Sequence, residues 1–71
     1  MNTLTYWTIE KESWSTAMPF SAFSSAAGTS PTLAEARATA TPIFSFPTLA
    51  AAEQFISTRA NGAEITYRNC A

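Results

Sequence analysis

Few residues of this chain could do chemistry, and their spacing offers little for a reaction. The chain has no histidine, and its five acidic residues are all glutamate. Glu10 and Glu12 stand two apart, so a strand reaching that far would carry both carboxylates on one side. We interpret the pair as a charged hairpin turn rather than a metal site. Metal sites draw on histidine, cysteine or clustered carboxylates, so we expect no metal and no cofactor.

The nucleophilic residues have no evident base beside them. A reactive serine needs a neighbouring base, and the single formal option is a pair between a serine and Lys11, the one lysine. Cys70 is the one cysteine, so it cannot form an internal disulfide, and we interpret it as an inert thiol. Gly28 and Gly62 stand too far apart for a phosphate-binding loop. The sequence therefore predicts a protein that is not an enzyme.

The charge balance disfavours nucleic acid and membranes as partners. A net charge of −1 provides no long-range field to attract either one. Arg59 and Arg68 could lie close together, and Tyr67 and Trp7 could stack on bases, but solvated charges at a helix end and a strand end explain the arginines better. The chain lacks a signal-peptide pattern and an apolar stretch near the ~20 residues of a membrane span. We expect a cytoplasmic protein of the source cell, or of a host cell if the gene is viral.

The length predicts one small domain spanning residues 1–71. A chain of this size buries only about 60% of its unfolded surface, so partners or self-association would add stability. β-forming residues predict a first strand over Thr3–Ile9, and the alternation from Trp14 to Phe20 predicts a second. The small residues of Ser21–Ser30 predict a loop.

The second half of the chain predicts two helices that alternate with strands. Thr32 and Glu35 have the spacing of a capping box, which predicts a helix over Leu33–Ala40. The remaining elements are a buried strand Ile43–Phe46, a helix that opens at Pro47-Thr48 with Leu49, Ala52, Ile56 and Ala60 on one stripe, and a strand over Ala63–Arg68. Together they predict an α+β fold in β-β-α-β-α-β order, with two short helices packed on one sheet of about four strands. The third and fourth strands should run parallel.

Large apolar side chains outnumber what so small a core can hold. Some of them should therefore be exposed, and exposed tryptophan and tyrosine are typical of protein interfaces. The alternative is that the loop Ser21–Ser30 folds back and covers them. The interface candidates are Trp7, Trp14, Phe20, Phe23, Tyr67 and Arg68.

In its small size, acidic charge and lack of reactive groups, the chain resembles the inhibitors carried by phages, of which the anti-CRISPR proteins are the best known class. This resemblance implies a non-enzymatic protein-binding module that blocks a host protein or complex by occupying its surface. The expected partner is another protein or protein complex, and homo-oligomers are possible.

A second resemblance is to the small rod-capping linker domains of phycobilisomes. The span Ile43–Tyr67 carries "FP" before its predicted helix and "NGAEI" after it, and the distance from Pro47 to Gly62 is similar to that in the linker pattern. This resemblance implies a structural or assembly accessory. The abundance of alanine, serine and threonine similarly suggests a capsid-decoration protein.

Overall fold

Four strands and two helices follow one another in the predicted order in a computed structural model of the protein, which describes residues 6–12, 17–26 and 28–70. The strands are β1 (Tyr6–Lys11), β2 (Phe20–Ser25), β3 (Phe44–Phe46) and β4 (Glu64–Arg68). The helices are α1 (Leu33–Ala38) and α2 (Leu49–Arg59). The predicted α+β class is therefore confirmed.

The four strands form one mixed sheet in the order β3-β2-β1-β4. β1 is antiparallel to β2 and parallel to β4, and β2 is antiparallel to β3. β3 and β4 consequently run in the same direction, as predicted. They are not neighbours, however, because they form the two opposite edges of the sheet.

The second strand lies further along the chain than the sequence pattern indicates. β2 begins at Phe20, where the predicted strand ends, and occupies the first half of the segment interpreted as a loop. Its buried residues Ser21, Ala22 and Phe23 alternate little in polarity, because β2 is an inner strand with both faces covered. The predicted position of Trp14 in this strand falls outside the described residues.

One face of the sheet packs against α2 and carries the larger core. Trp7, Ile9 and Ala22 from the strands meet Ala52 and Ile56 from the helix, and all five are buried. Because Ala22 is small, the ring of Trp7 has room to extend from β1 across β2 towards β3. The absence of a bulky side chain at Ala52 likewise lets the helix approach the sheet closely.

The opposite face packs against α1 around a second, smaller core. Phe23 is fully buried there with Leu33 and Ala36, and Ile43 covers their margin. The predicted capping box is present: the Thr32 hydroxyl accepts from the Glu35 amide at 3.2 Å, and the Glu35 carboxylate accepts from the Thr32 amide at 2.8 Å. The predicted start of α1 is therefore confirmed.

The second helix also has the start and stop that its sequence indicates. The Thr48 hydroxyl caps α2 by accepting from the Ala51 amide at 3.1 Å. Gly62 has a φ of +83°, a left-handed conformation that glycine adopts without strain and that suits the chain reversal after a helix.

We expect Phe23→Ala to remove a large part of the stability of the domain. Truncating a fully buried phenylalanine costs about 3–5 kcal/mol, which approaches the whole stability of a domain of this size. Urea unfolding should show this loss, whereas the partly exposed Phe46→Ala, as a matched control, should cost less than half as much. A cost below about 1 kcal/mol for Phe23→Ala would show that Phe23 lies outside the core.

Candidate protein-interaction surface

Four phenylalanines form a partly exposed cluster where β3 and α2 meet. Phe20, Phe44, Phe46 and Phe55 pack against the larger core without being buried by it. The ring centroid of Phe55 lies 4.7 Å from that of Phe44 and 5.0 Å from that of Phe46. Phe20 and Phe46 are direct cross-strand partners. We refer to these four residues as the aromatic patch.

Two cations lie over rings of the aromatic patch. The guanidinium carbon of Arg59 is 5.2 Å from the centroids of both Phe44 and Phe55. The ammonium of Lys11 is 5.9 Å from the centroid of Phe20. Both distances fall within the range of cation–π attraction. The patch is therefore apolar at its centre and positively charged at two points of its rim.

The aromatic patch rests on Trp7, which is only 6% exposed. The ring centroid of Trp7 lies 6.0 Å from that of Phe55 in an edge-on arrangement and 6.4 Å from that of Phe44. Edge-on and tilted pairs at these distances are favourable aromatic contacts. Trp7 thus fixes the position of the rings from below and limits their freedom before any partner binds.

β3 is an edge strand in which side chains offer more to a partner than the backbone does. It has only three residues, and Pro42 and Pro47 stand close to its two ends. Short edges bracketed by proline discourage uncontrolled strand pairing. A partner at this edge would therefore contact mainly the rings of Phe44 and Phe46 and the stacked Arg59.

The predicted interface residues do not form one surface. Trp7 and Phe23 are 6% and 0% exposed, so the expectation that they would present contact surface is wrong for both. Small residues at Ala22 and Ala36 create the space that buries them. Phe20 belongs to the aromatic patch, whereas Trp14 lies outside the described residues.

Tyr67 and Arg68 lie on β4, at the edge of the sheet opposite the aromatic patch. Tyr67 is 47% exposed, and its hydroxyl donates to Oε2 of Glu53 at 2.5 Å. Arg68 donates from Nη2 to the carbonyl of Ser30. Arg59 and Arg68 therefore lie apart, as solvated charges at a helix end and a strand end would: Arg59 stacks near β3, and two strands separate β3 from β4.

Glu10 and Glu12 bind α1 to the sheet instead of forming a charged hairpin turn. Glu10 Oε1 accepts from the backbone amide of Leu33 at 2.9 Å. Glu12 is buried and accepts from the Ser21 hydroxyl at 2.5 Å and from Nη2 of Arg37 at 3.4 Å. The interpretation as a charged turn is wrong because β1 continues to Lys11 and aims both carboxylates at the helix.

Among the residues that the structure describes, Lys11, Ser21 and Cys70 are each engaged in other contacts. Lys11 lies over Phe20, whereas the neighbouring Ser21 hydroxyl is bonded to Glu12. Burial raises the pKa of the Cys70 thiol above its ordinary value, and its sulfur donates to the carbonyl of Ile9 at 3.3 Å, so little thiolate forms near neutral pH. Among residues 6–12, 17–26 and 28–70, no cluster of metal-ligating side chains occurs.

A polar groove of about 450 Å³ runs beside α1. Its hydroxyl groups largely bond to the chain itself: Ser25 donates to the Thr29 carbonyl, and Thr39 bonds with Thr41. Glu35, its one acidic residue, serves the helix cap. These bonds leave few polar groups to recognise a ligand, and the aromatic patch is the stronger candidate site.

Sequence reasoning missed most of the aromatic patch. It placed Phe44 and Phe46 in a buried strand and did not name Phe55 among the interface candidates. The signal that could have found them is the pair of prolines around "IFSF", since proline near both ends of a short strand is typical of a sheet edge. Residues of an edge strand are covered on fewer sides.

Comparison with known proteins finds no matching family model, no matching curated protein and no matching solved structure. Within the part of the chain that the structure describes, neither helix has the length and apolar character needed to cross a membrane.

The contact between Tyr67 and Glu53 has a measurable pH dependence. The hydrogen bond to Glu53, with smaller effects of burial and of the Glu53 charge, raises the pKa of Tyr67 from 10.0 to about 12. The pKa of Tyr67 is higher in the folded protein than in the unfolded chain. The contact therefore contributes stability that is fully present below pH 10 and is lost as the pH rises through about 12.

We expect Glu53→Gln to lower the pKa of Tyr67 towards 10, because the replacement removes the anionic acceptor. An ultraviolet absorbance titration at alkaline pH measures this value, with Tyr67→Phe identifying which transition belongs to Tyr67. An unchanged transition in Glu53→Gln would show that the two side chains do not interact in solution.

Proposed function

We propose that this chain is a non-enzymatic protein-binding module that blocks a partner protein by occupying its surface, with the aromatic patch as the main contact. The observation that supports this is the partly exposed cluster of four phenylalanines with Arg59 stacked on two of them. Aromatic residues and arginine are enriched in the cores of protein interfaces.

The arrangement of the aromatic patch favours tight binding over a small area. Its rings contact one another and the buried Trp7, so little side-chain freedom remains to be lost on association. Arg59 is held by two rings while its guanidinium can still donate to carboxylate or carbonyl oxygens of a partner.

The charge of the chain indicates how such a partner is found. At a net charge of −1 there is little electrostatic steering, so the association rate should depend weakly on ionic strength. Within this proposal the partner is a host protein or complex, met in the cytoplasm, and the chain acts as a phage-type inhibitor comparable to the anti-CRISPR proteins.

The contact role of the patch can be tested with two substitutions. The tagged protein is used to capture a partner from cell lysate, and binding is then measured with the purified partner. We expect Phe46→Ala and Arg59→Glu each to lower the affinity at least about 30-fold, because residues at the centre of an interface commonly carry 2 kcal/mol or more.

Ala34→Glu provides the control, because Ala34 is exposed on α1, on the other side of the sheet. It should keep the affinity of the unmodified protein while changing the net charge in the same direction as Arg59→Glu. Capture that Phe46→Ala and Arg59→Glu leave intact, or the lack of any captured protein, would contradict the proposal. Inhibition would further require the partner to lose activity at a stoichiometric ratio.

A further inference from the structure

The outer edge of β4 is open in the part of the chain that the structure describes. β4 is the last strand in the sheet order and pairs through one side only, with β1. α2 packs mainly over β1, β2 and β3, so it leaves Tyr67 47% exposed. Unlike β3, this edge has five residues and no proline, and its backbone is therefore able to accept another strand.

The five residues of β4 are complementary to their own reversed copy. In an antiparallel pair of two β4 strands centred on Thr66, Glu64 of each copy lies opposite Arg68 of the other, Ile65 lies opposite Tyr67, and Thr66 lies opposite itself. Opposite charges, an aliphatic–aromatic pair and a threonine pair are all favourable cross-strand neighbours. We propose that the protein forms a two-fold symmetric dimer through this pairing.

The faces of the sheet agree with this register. The Thr66 hydroxyl bonds with Ser30 at 3.0 Å and Arg68 donates to the Ser30 carbonyl, so both lie on the α1 face with Glu64. Ile65 and Tyr67 lie on the α2 face. A two-fold axis through Thr66 joins like faces of the two sheets, and shifting the register by two residues would place Arg68 opposite Thr66 and lose its charged partner.

The side chains at the two ends of β4 have unused bonding capacity. Arg68 is half-buried and uses Nη2 for the Ser30 carbonyl, which leaves its other terminal nitrogen for a second acceptor. Glu64 is exposed at the other end of the strand. In the dimer each arginine gains a carboxylate acceptor, and the pair is shielded more from water than either group is alone.

The dimer would join two four-stranded sheets into one continuous sheet of eight strands, since β4 becomes an inner strand in both copies. The aromatic patches would lie at the two far edges, beside each β3. Dimerisation and partner binding therefore use opposite edges of the sheet, and the failure of one proposal leaves the other open to a separate test.

Sedimentation equilibrium across micromolar to millimolar concentrations tests the dimer directly. The unmodified chain should reach twice its 7.6 kDa mass. Glu64→Arg and Arg68→Glu should each weaken the dimer at least about tenfold, because each places like charges opposite one another twice. An equimolar mixture of the two variants should regain dimers, since the opposing charges are then again of opposite sign.

Arg59→Glu is the matched control, because it makes the same change of charge as Arg68→Glu at the other edge; it should dimerise like the unmodified chain.

Where Arg68→Glu fails to fold, Thr66→Cys in a Cys70→Ser background provides a second test. Thr66 faces its own copy, so this variant should form a disulfide-linked dimer on mild oxidation, whereas Gln54→Cys in the same background should not. A monomer at every concentration, charge reversals without effect, or no preferential cross-linking at Thr66 would overturn the proposal.

Discussion

The pairing of β1 with β2 on one side and β4 on the other is the constraint on which the rest of this structure depends. β1 is an inner strand, and its central residues Trp7, Thr8 and Ile9 are all buried. Because successive side chains of a strand point to opposite faces, β1 serves both sides of the sheet at once. Trp7 and Ile9 hold α2 and support the aromatic patch, while Glu10 and Glu12 hold α1.

This division gives the two faces of the sheet different chemistry. The α2 face is apolar and aromatic, and its cluster extends past the helix to the β3 edge. The α1 face contains a smaller apolar core beside buried polar groups, in which the Glu12 carboxylate is satisfied by Ser21 and Arg37. The carboxylates of Glu10 and Glu12 on the α1 face thus serve the fold, whereas the α2 face presents rings at the β3 edge.

Local signals in the sequence predicted the elements whose causes are local. The caps at Thr32 and Thr48 and the turn at Gly62 depend on residues within a few positions, and the structure has all three. The position of β2 could not be read in this way. Its small residues become strand because neighbouring strands and helices cover both faces, and the small Ala22 leaves room for the buried Trp7. These are contacts between distant parts of the chain.

The candidate site was predicted only in part for the same reason. Counting large apolar residues indicated that some must be exposed, but not which ones, because exposure depends on strand order. The prediction named Trp7 and Phe23, which the order β3-β2-β1-β4 places in the interior, and it missed the rings that the same order places at an edge. Phe20 was named because the small core could not hold every large apolar residue, and it does belong to the patch.

Hydrogen exchange of the protein, alone and saturated with its captured partner, tests the central claim most directly. If the aromatic patch is the contact surface, amide exchange should slow on binding in β3 and the adjoining part of α2, and remain unchanged in α1. Slowing confined to α1 or to the polar groove beside it, with β3 unaffected, would contradict the account.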